Sequence, residues 1–430
     1  MRRNSAFATT IRSDTAPQPH WYDVLSSNPF GVIRMAHHIN AIQHIPKHFS
    51  PSTYPGGLPL MQVGMTNHVQ QTLTAPMLPF LGRIRTRSAV AGWGEITMRI
   101  THGLAALALT VAAIANAQTW SVAKTYPIGG EGSWDYLTVD AASHRLFVPR
   151  STHTQIIDED SGKVLGDVPG QKGAHGVAIV SKLNRGFITD GGGTGAIVVF
   201  DLKTYAALGS IKTVPDTDGI IYDAKSNLVL AVSGDGGTLM TFAPDIDPAA
   251  GKVTSIDLGG KPEFLAADGA GKAYVNLQDK DLVAVVDLKT KKVIARWPVA
   301  PGGSPVGMAL DASTHTLVIG CRKPAMTIFM DANTGKVISS IPIGPGVDAT
   351  KVDGAQAFAS SADGTLAIAS LKDGKLLQTV KTPLAARTMG VDTTTHRIYM
   401  PTAEMEPPAT PGGRARPKPG SFMIVVVEGK

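Results

Sequence analysis

Cysteine is nearly absent from this sequence, since Cys321 is the only one in 430 residues. A single cysteine forms no internal disulfide and cannot supply the C-x-x-C-H motif that attaches a c-type haem. No phosphate-binding loop is present either, because the glycine-rich run at residues 191–195 joins two strands and does not open a helix. We therefore expect a chain stabilised by packing alone, with a partly exposed thiol and neither haem nor nucleotide.

Long hydrophobic runs are also missing. The apolar run at residues 104–114 is too short to cross a bilayer, which takes about 20 residues. It lies between Arg99 and the small-residue site Ala115-Asn116-Ala117, which is typical of a secretory signal peptide over residues 98–117. The sequence thus predicts an exported protein, periplasmic or secreted and not transmembrane, whose mature part begins at Gln118.

Residues 1–97 precede this signal and show neither a helical nor a strand period. Because a signal peptide belongs at a true N-terminus, we interpret them as an unstructured leader from an over-extended gene start. A real disordered extension is the alternative, and we assign the segment no function.

An excess of basic charge is confined to this leader. The formal net charge is +6, but residues 1–117 hold nine Lys and Arg against three Asp and Glu, which leaves 31 of each kind in residues 118–430. Binding to phosphates demands clustered Lys and Arg. We therefore expect a small polar ligand or a protein partner, not nucleic acid, and a monomeric protein.

What the sequence does contain is a repeated hairpin. An apolar strand ends at Asp158, and a turn with Ser161 and Gly162 leads into the next strand; the pattern returns at Asp201, Asp287 and Asp331. Asp accepts backbone N–H bonds in such turns, and Gly adopts a positive φ. These hairpins are interpreted as structural.

The repeat has a period of 39 to 45 residues when the chain is aligned on the end of the first strand of each unit. This period is typical of four-stranded propeller blades. The aligned positions are Asp140, Ser181, Asp223, Asp268, Asp311, Asp353 and Asp392. The fold is therefore predicted to be all-β, a seven-bladed β-propeller of four-stranded antiparallel blades over residues 118–430.

The last repeat lacks a fourth strand, because the chain stops soon after residues 422–427. Residues 122–129 look like the fourth strands of other repeats. We therefore expect the mature N-terminal strand to pair with the C-terminal blade and to cover its exposed edge.

A set of short stretches shares one pattern across the repeats: 134–136, 144–148, 158–166, 175–178, 259–264 and 395–399. They resemble the YVTN-type β-propeller repeat family, and in particular its YncE-like exported bacterial members, over about residues 119–430. The resemblance implies the fold and an exported repeat protein, but it implies no reaction; some relatives are linked to DNA binding or to redox partners. The sixth repeat departs from the pattern through a hairpin that looks shortened, at residues 371–375.

A candidate site follows from the register of the repeat. Five residues before each aligned position, the chain places side chains on the face opposite the hairpins, where the first strands would open onto the channel. Two of the seven positions hold Gly176 and Val306, and His175 is adjacent to Gly176. We predict that the side chains at this level form a polar, carboxylate-rich ligand-binding site at the channel mouth. The predicted residues are Asp135, His175, Asp218, Glu263, Asp348 and Arg387.

Three interpretations of this ring stay open: a mouth that only holds water, a site for a small ligand or a divalent cation, and a catalytic site. The leading function is a binding or interaction scaffold, since no nucleophile–base pair or dense metal motif is apparent. The alternatives are a metal-dependent enzyme acting on small molecules such as lactones or sugars and, with less support, a DNA-binding propeller.

Two further predictions concern the surroundings of the ring. The proline-rich loop at residues 401–420 would lie on the same face, as a stiff surface loop or a partial lid. His144, His315 and His396 fall in turns on the far side, where we expect exposed residues that bind nothing.

Overall fold

The computed structural model describes residues 118–408 and 415–430, so the predicted leader and signal peptide lie outside the described residues. The described chain is all-β: twenty-nine strands and one short 3-10 turn, Ser181–Leu183. None of its helical segments is long and apolar enough to cross a membrane.

The first strand, β1 (Trp120–Pro127), belongs to a sheet formed at the other end of the chain. The following strands form one seven-stranded sheet that contains the first two repeats, because the long β5 pairs with β4 through its first half and with β6 through its second half. These strands are β2 (Thr138–Asp140), β3 (Arg145–Pro149), β4 (Ser151–Asp158), β5 (Val164–Val180), β6 (Arg185–Asp190), β7 (Ala196–Asp201) and β8 (Ala207–Lys212).

Four antiparallel sheets of four strands follow in chain order, each a meander of sequential strands. The first two comprise β9 (Thr217–Asp223), β10 (Leu228–Ser233), β11 (Thr238–Phe242), β12 (Thr254–Asp257), and β13 (Pro262–Ala267), β14 (Lys272–Leu277), β15 (Leu282–Asp287), β16 (Lys292–Pro298). The next two comprise β17 (Pro305–Asp311), β18 (Thr316–Arg322), β19 (Ala325–Asp331), β20 (Val337–Pro342), and β21 (Val347–Asp353), β22 (Gln356–Ser361), β23 (Thr365–Ser370), β24 (Leu376–Lys381).

The last sheet combines the two ends of the described chain in the order β1, β29, β26, β25. β1 pairs antiparallel with β29, from Trp120 opposite Gly429 to Pro127 opposite Met423. A separate two-stranded ladder, β27 with β28, lies within the loop before β29. The new strands are β25 (Gly390–Asp392), β26 (Arg397–Thr402), β27 (Met405–Glu406), β28 (Arg416–Pro417) and β29 (Met423–Gly429).

The packing of the sheets follows from the burial of their strands. Second and third strands such as β14 and β15 are buried almost throughout, whereas the fourth strand β16 alternates between exposed and half-buried residues. Near-continuous apolar runs are expected where neighbouring sheets cover both faces of a strand. One apolar cluster accordingly joins Leu230 and Leu239 of one sheet to Val275 and Val286 of the next.

The first strands of consecutive sheets contact one another along the chain, and β25 also contacts β2. This arrangement brings the beginnings of strands that are far apart in sequence close together. The order of these contacts is β2, β5, β9, β13, β17, β21 and β25.

The repeated hairpins are structural, as predicted. The carboxylate of Asp158 accepts a hydrogen bond from the Ser161 N–H at 2.9 Å, and Asp331 accepts one from the Thr334 N–H at 2.8 Å. Gly162 in the first hairpin has a φ of 73°. A Cβ there would lie 2.3 Å from Cγ of Tyr126 on β1, so only glycine fits both the turn and the neighbouring strand.

The sixth hairpin is not shortened, which corrects the expectation from the sequence. Backbone bonds run from the Ser370 N–H to the Lys375 carbonyl and from the Gly374 N–H to the Ser370 carbonyl. The same two bonds, at the same spacing, close the hairpins that begin at Asp158 and Asp331. Ser370 takes the place of the usual Asp, so the side chain differs while the turn length is kept.

Candidate functional site

The six predicted site residues come together around one cavity of about 430 Å³. Five sheets supply them. Tyr136 and Arg322 complete the lining. We call the seven charged side chains the charged cluster: Asp135, His175, Asp218, Glu263, Arg322, Asp348 and Arg387.

Irregular pairing at the start of the first strands helps to place these side chains. The register of β9 with β10 shifts next to Asp218, that of β13 with β14 shifts next to Glu263, and that of β21 with β22 shifts next to Asp348. A bulge bends a strand locally and re-aims its side chains. The shared irregularity explains why equivalent positions of different repeats point to the same cavity.

Asp348 lies between the two arginines of the cluster, Arg322 and Arg387, and only 8% of its side chain is exposed. Nε of Arg387 donates to one carboxylate oxygen at 2.5 Å, and Nη2 of Arg322 donates to the other. Nη1 of Arg322 also lies 3.5 Å from Oε1 of Glu263. Burial raises the pKa of Asp348, but the two guanidinium groups oppose this shift and stabilise the ionised form.

His175 is the cation beside the other two aspartates of the cluster, Asp135 and Asp218. Its Nδ1 lies 2.8 Å from Oδ2 of Asp135 and 3.6 Å from Oδ1 of Asp218. Burial lowers the pKa of His175, but the hydrogen bond to Asp135 and the charges of Asp218 and Asp135 outweigh it and raise the pKa to about 9. At neutral pH His175 is therefore an imidazolium that donates to Asp135.

Asp218, which lies near His175, and Glu263, which lies near Arg322, form a coupled pair of carboxyl groups. Burial, followed by the charge of Asp135, raises the pKa of Asp218 well above its ordinary value. Burial also raises the pKa of Glu263, which is lowered in turn by Arg322 and by a hydrogen bond from Asp218. Nε2 of Gln278 donates to Oε1 of Glu263 at 2.7 Å. We assign the shared proton to Asp218, because Glu263 has more donors to stabilise its charge.

Cations lie beside the carboxyl groups of the cluster: His175 beside Asp135 and Asp218, Arg322 beside Glu263 and Asp348, and Arg387 beside Asp348. The raised pKa of Asp218 reduces the negative charge that these cations must offset. The predicted gathering of carboxylates is thus tolerated because each charge has a partner.

Oδ1 of Asp218 is buried and accepts no hydrogen bond from a described residue, although Nδ1 of His175 lies 3.6 Å away. A buried polar atom without a hydrogen bond costs free energy, so a ligand donor that reached this oxygen would be stabilised.

Three residues of the cluster also fit a cation. The possible ligand atoms of Asp135, His175 and Asp218 all lie within 4.8 Å of one another. Two carboxylates and an imidazole are suitable ligands for a divalent transition metal. Binding would require His175 and Asp218 to lose their protons, so it would weaken as the pH falls.

Two aromatic side chains, Tyr136 and Phe264, pack against each other beside the charged cluster. The rings of Tyr136 and Phe264 lie 4.6 Å apart, and both residues are buried. Burial and the surrounding carboxylates raise the pKa of Tyr136 well above its ordinary value. The phenol therefore stays protonated and acts as a neutral donor or acceptor.

Arg322 and Gln278 also contact the site, but they are not among the residues predicted from the register. The signal that could have selected them is their position at or just after the end of a second strand, β18 and β14. Asn276 near the end of β14 has a local role instead, since it donates to the carbonyls of Val306 and Gly307.

One expectation about the surroundings, that for Cys321, needs correction, and the lid alternative for the 401–420 loop finds no support. Cys321 is fully buried, and burial raises the pKa of its thiol to about 12, so it is not a partly exposed thiol. Described residues of the 401–420 loop line a different cavity with residues 130–133, and none of them lines the charged cluster. A lid over the cluster is therefore not observed in the described part of the loop; residues 409–414 lie outside it.

The turn histidines are exposed as predicted. The side chains of His144 and His396 are 55% and 59% exposed, and they lie near Asp160 and Asp353 respectively. His144, His315 and His396 all have positive φ values, so their common feature is a left-handed turn.

Comparison with known proteins gives the fold and no more. No family model matches the sequence, and no curated protein matches it. Hydrazine synthase of Kuenenia stuttgartiensis is similar in structure, with a TM-score of 0.55 and 12% identity over 64% of this chain and 94% of that chain. The fold is propeller-like. Because 1671 chains of solved structures match it, the likeness does not specify a function.

Proposed function

We propose that this protein is an exported binding scaffold, periplasmic or secreted, whose charged cluster holds a small polar ligand or a polar group of a protein partner. The observation that carries the proposal is the cavity of about 430 Å³ on which the charged cluster converges. Within it, Oδ1 of Asp218 accepts no hydrogen bond from a described residue and lies 3.6 Å from Nδ1 of His175. A ligand that donates a hydrogen bond there, such as an ammonium or hydroxyl group, would satisfy this oxygen.

The composition of the lining favours binding over catalysis. Among the described residues that line the cavity there is no Ser, Thr or Cys nucleophile, and Tyr136 has a raised pKa. Nucleophilic catalysis requires an activated nucleophile beside a base. Nucleic acid is not the expected ligand, because residues 118–430 carry no net charge.

The proposal includes a seven-bladed propeller of the YVTN-type, YncE-like kind, closed by β1. Its support is the pairing of β1 with β29 and the contact of β25 with β2, together with the seven aligned repeats. Export is supported by the signal-like sequence at residues 98–117.

The binding proposal is tested by calorimetric titration of the full chain with ethanolamine, which carries both an ammonium and a hydroxyl group. Asp218→Asn is the test variant, and Asp245→Asn is the control because Asp245 is exposed and does not line the cavity. We expect binding that the first substitution weakens and the second leaves unchanged. Equal affinity of all three proteins, or no binding of ethanolamine or any other small amine or polyol, contradicts the proposal.

A metal-dependent enzyme is the second candidate, favoured by the spacing of Asp135, His175 and Asp218. It predicts stoichiometric divalent metal in protein purified without chelator. The metal would be lost in Asp218→Asn and retained in Asp245→Asn. Purified protein that contains no metal and takes up neither Zn²⁺ nor Mn²⁺ contradicts this candidate.

A further inference from the structure

A second cavity, of about 290 Å³, adjoins the charged cluster at Tyr136, which lines both. Its walls come from first strands and are mainly apolar, with Leu137, Val177, Ile220 and Phe264 all buried. Lys351 of β21 is the only charged residue among the described residues that line it. We call this space the Lys351 cavity.

Lys351 has no counter-ion here. It makes no ion pair or hydrogen bond with any described residue, and its Nζ lies 5.4 Å from the centroid of the Phe264 ring. The other titratable residues that share the lining are Tyr136 and Tyr222, and no carboxylate is among the described lining residues. A cation–π contact stabilises an ammonium only in part.

Burial lowers the pKa of Lys351, and no neighbouring charge contributes to the shift. Arg322 and Arg387 differ in this respect, since both pair with Asp348. A partly buried ammonium without a partner costs free energy. An anion beside Lys351 would therefore stabilise its charged form.

The shape and chemistry of the cavity limit the anion that would fit. A single ammonium with apolar walls suits one negative charge attached to a hydrocarbon body. A phosphate dianion would require further donors, and an amine would be repelled. We propose that the Lys351 cavity binds a small aliphatic monocarboxylate, with its carboxylate on Nζ of Lys351 and its chain against the walls formed by Ile220, Ile221 and Val177.

This inference does not depend on the function proposed for the charged cluster. Tyr136 is the one described residue that lines both cavities. The two ligands have opposite chemistry: a donor or cation beside Asp218, and a carboxylate beside Lys351. Asp218→Asn is therefore expected to leave carboxylate binding unchanged.

The experiment is a calorimetric titration of the full chain with hexanoate, with hexylamine as the probe of opposite charge. Lys351→Met keeps the side-chain length and removes the charge. Lys381→Met is the control, since Lys381 is exposed on β24 of the same sheet. Loss of a charge-assisted hydrogen bond should weaken hexanoate binding by about tenfold or more in Lys351→Met and leave it unchanged in the control.

A second measurement covers the case in which Lys351→Met fails to fold. Reductive methylation of the unaltered protein, mapped by mass spectrometry, should be slower at Lys351 when hexanoate is present and unchanged at Lys381. The proposal is overturned if hexanoate does not bind, if Lys351→Met binds it with unchanged affinity, if hexylamine binds equally well, or if Lys351 is not protected.

Discussion

Glu159 offers the sharpest test of the structure, because a buried carboxyl group should make stability depend on pH. Glu159 follows β4 and is fully buried, with its Oε2 lacking a hydrogen bond. Its Oε1 accepts a bond from the Tyr399 hydroxyl at 2.8 Å. Burial raises the pKa of Glu159 from 4.5 to about 7, opposed by the Tyr399 bond and reinforced by Asp392.

The sign of the effect follows from this shift. The folded protein binds a proton at Glu159 more tightly than the unfolded chain does, so the protonated form is favoured by folding. The penalty for ionised Glu159 is small below pH 4.5 and grows as the pH rises towards 7. Each unit of pKa shift corresponds to about 1.4 kcal/mol, so the full penalty above pH 7 is about 3 kcal/mol.

Substitution of Glu159 by Gln removes the ionisation and keeps the shape. Relative to the unaltered protein, Glu159→Gln should raise the free energy of unfolding by about 1 kcal/mol at pH 5 and by about 3 kcal/mol at pH 8. The measurement is urea unfolding of both proteins at several pH values. Glu406→Gln serves as the control, because Glu406 is exposed.

The control should show no trend with pH. A difference between Glu159→Gln and the unaltered protein that stays constant from pH 5 to pH 8, or a variant that is less stable at pH 8, would refute the reasoning. Either result would mean that water or local rearrangement solvates the carboxylate of Glu159.

Three further predictions follow from the chain ends and the cluster. Deleting residues 118–127 removes β1 and exposes the edge of β29, so we expect aggregation and loss of cooperative unfolding; a monomeric truncation with unchanged thermal stability would contradict this. Asp218→Asn should leave the fold intact and its thermal stability equal or higher, since it removes a buried ionisable group; a clear loss of stability in thermal unfolding would count against the proton assignment. Native protein should begin at Gln118, and mass spectrometry that finds peptides from residues 2–87 would disprove both the signal peptide and the over-extended start.

Local features could be predicted from the sequence because they depend on neighbouring residues. The Asp158 and Asp331 hairpins form from residues within three positions of the aspartate, so their turn chemistry is readable directly. The spacing of the repeat likewise predicted that Asp135, Asp218, Glu263 and Asp348 share one level. The wrong prediction of a shortened sixth hairpin has the same origin. The hairpins were identified by their Asp, and at this hairpin Ser370 stands in place of the Asp.

The electrostatic state of the cluster could not be predicted in this way. Arg322 comes from the end of a second strand, and its pairing with Asp348 depends on how two neighbouring sheets pack. That pairing, with Arg387 and His175, decides which carboxylates are ionised and which one keeps a proton. Spacing places residues at a level but does not tell which atoms lie within hydrogen-bond distance.

The sequence by itself thus determined the strand-and-turn pattern, the repeat and the positions at which charges gather, because each depends on short-range chemistry or on a period. The tertiary structure alone decided what those charges and buried groups do. Cys321 and Glu159 are buried, Lys351 has no counter-ion among the described residues, and Oδ1 of Asp218 accepts no hydrogen bond from them, because sheets distant in sequence pack against one another. Burial and partner distances are properties of that packing, and the free energies of ionisation depend on them.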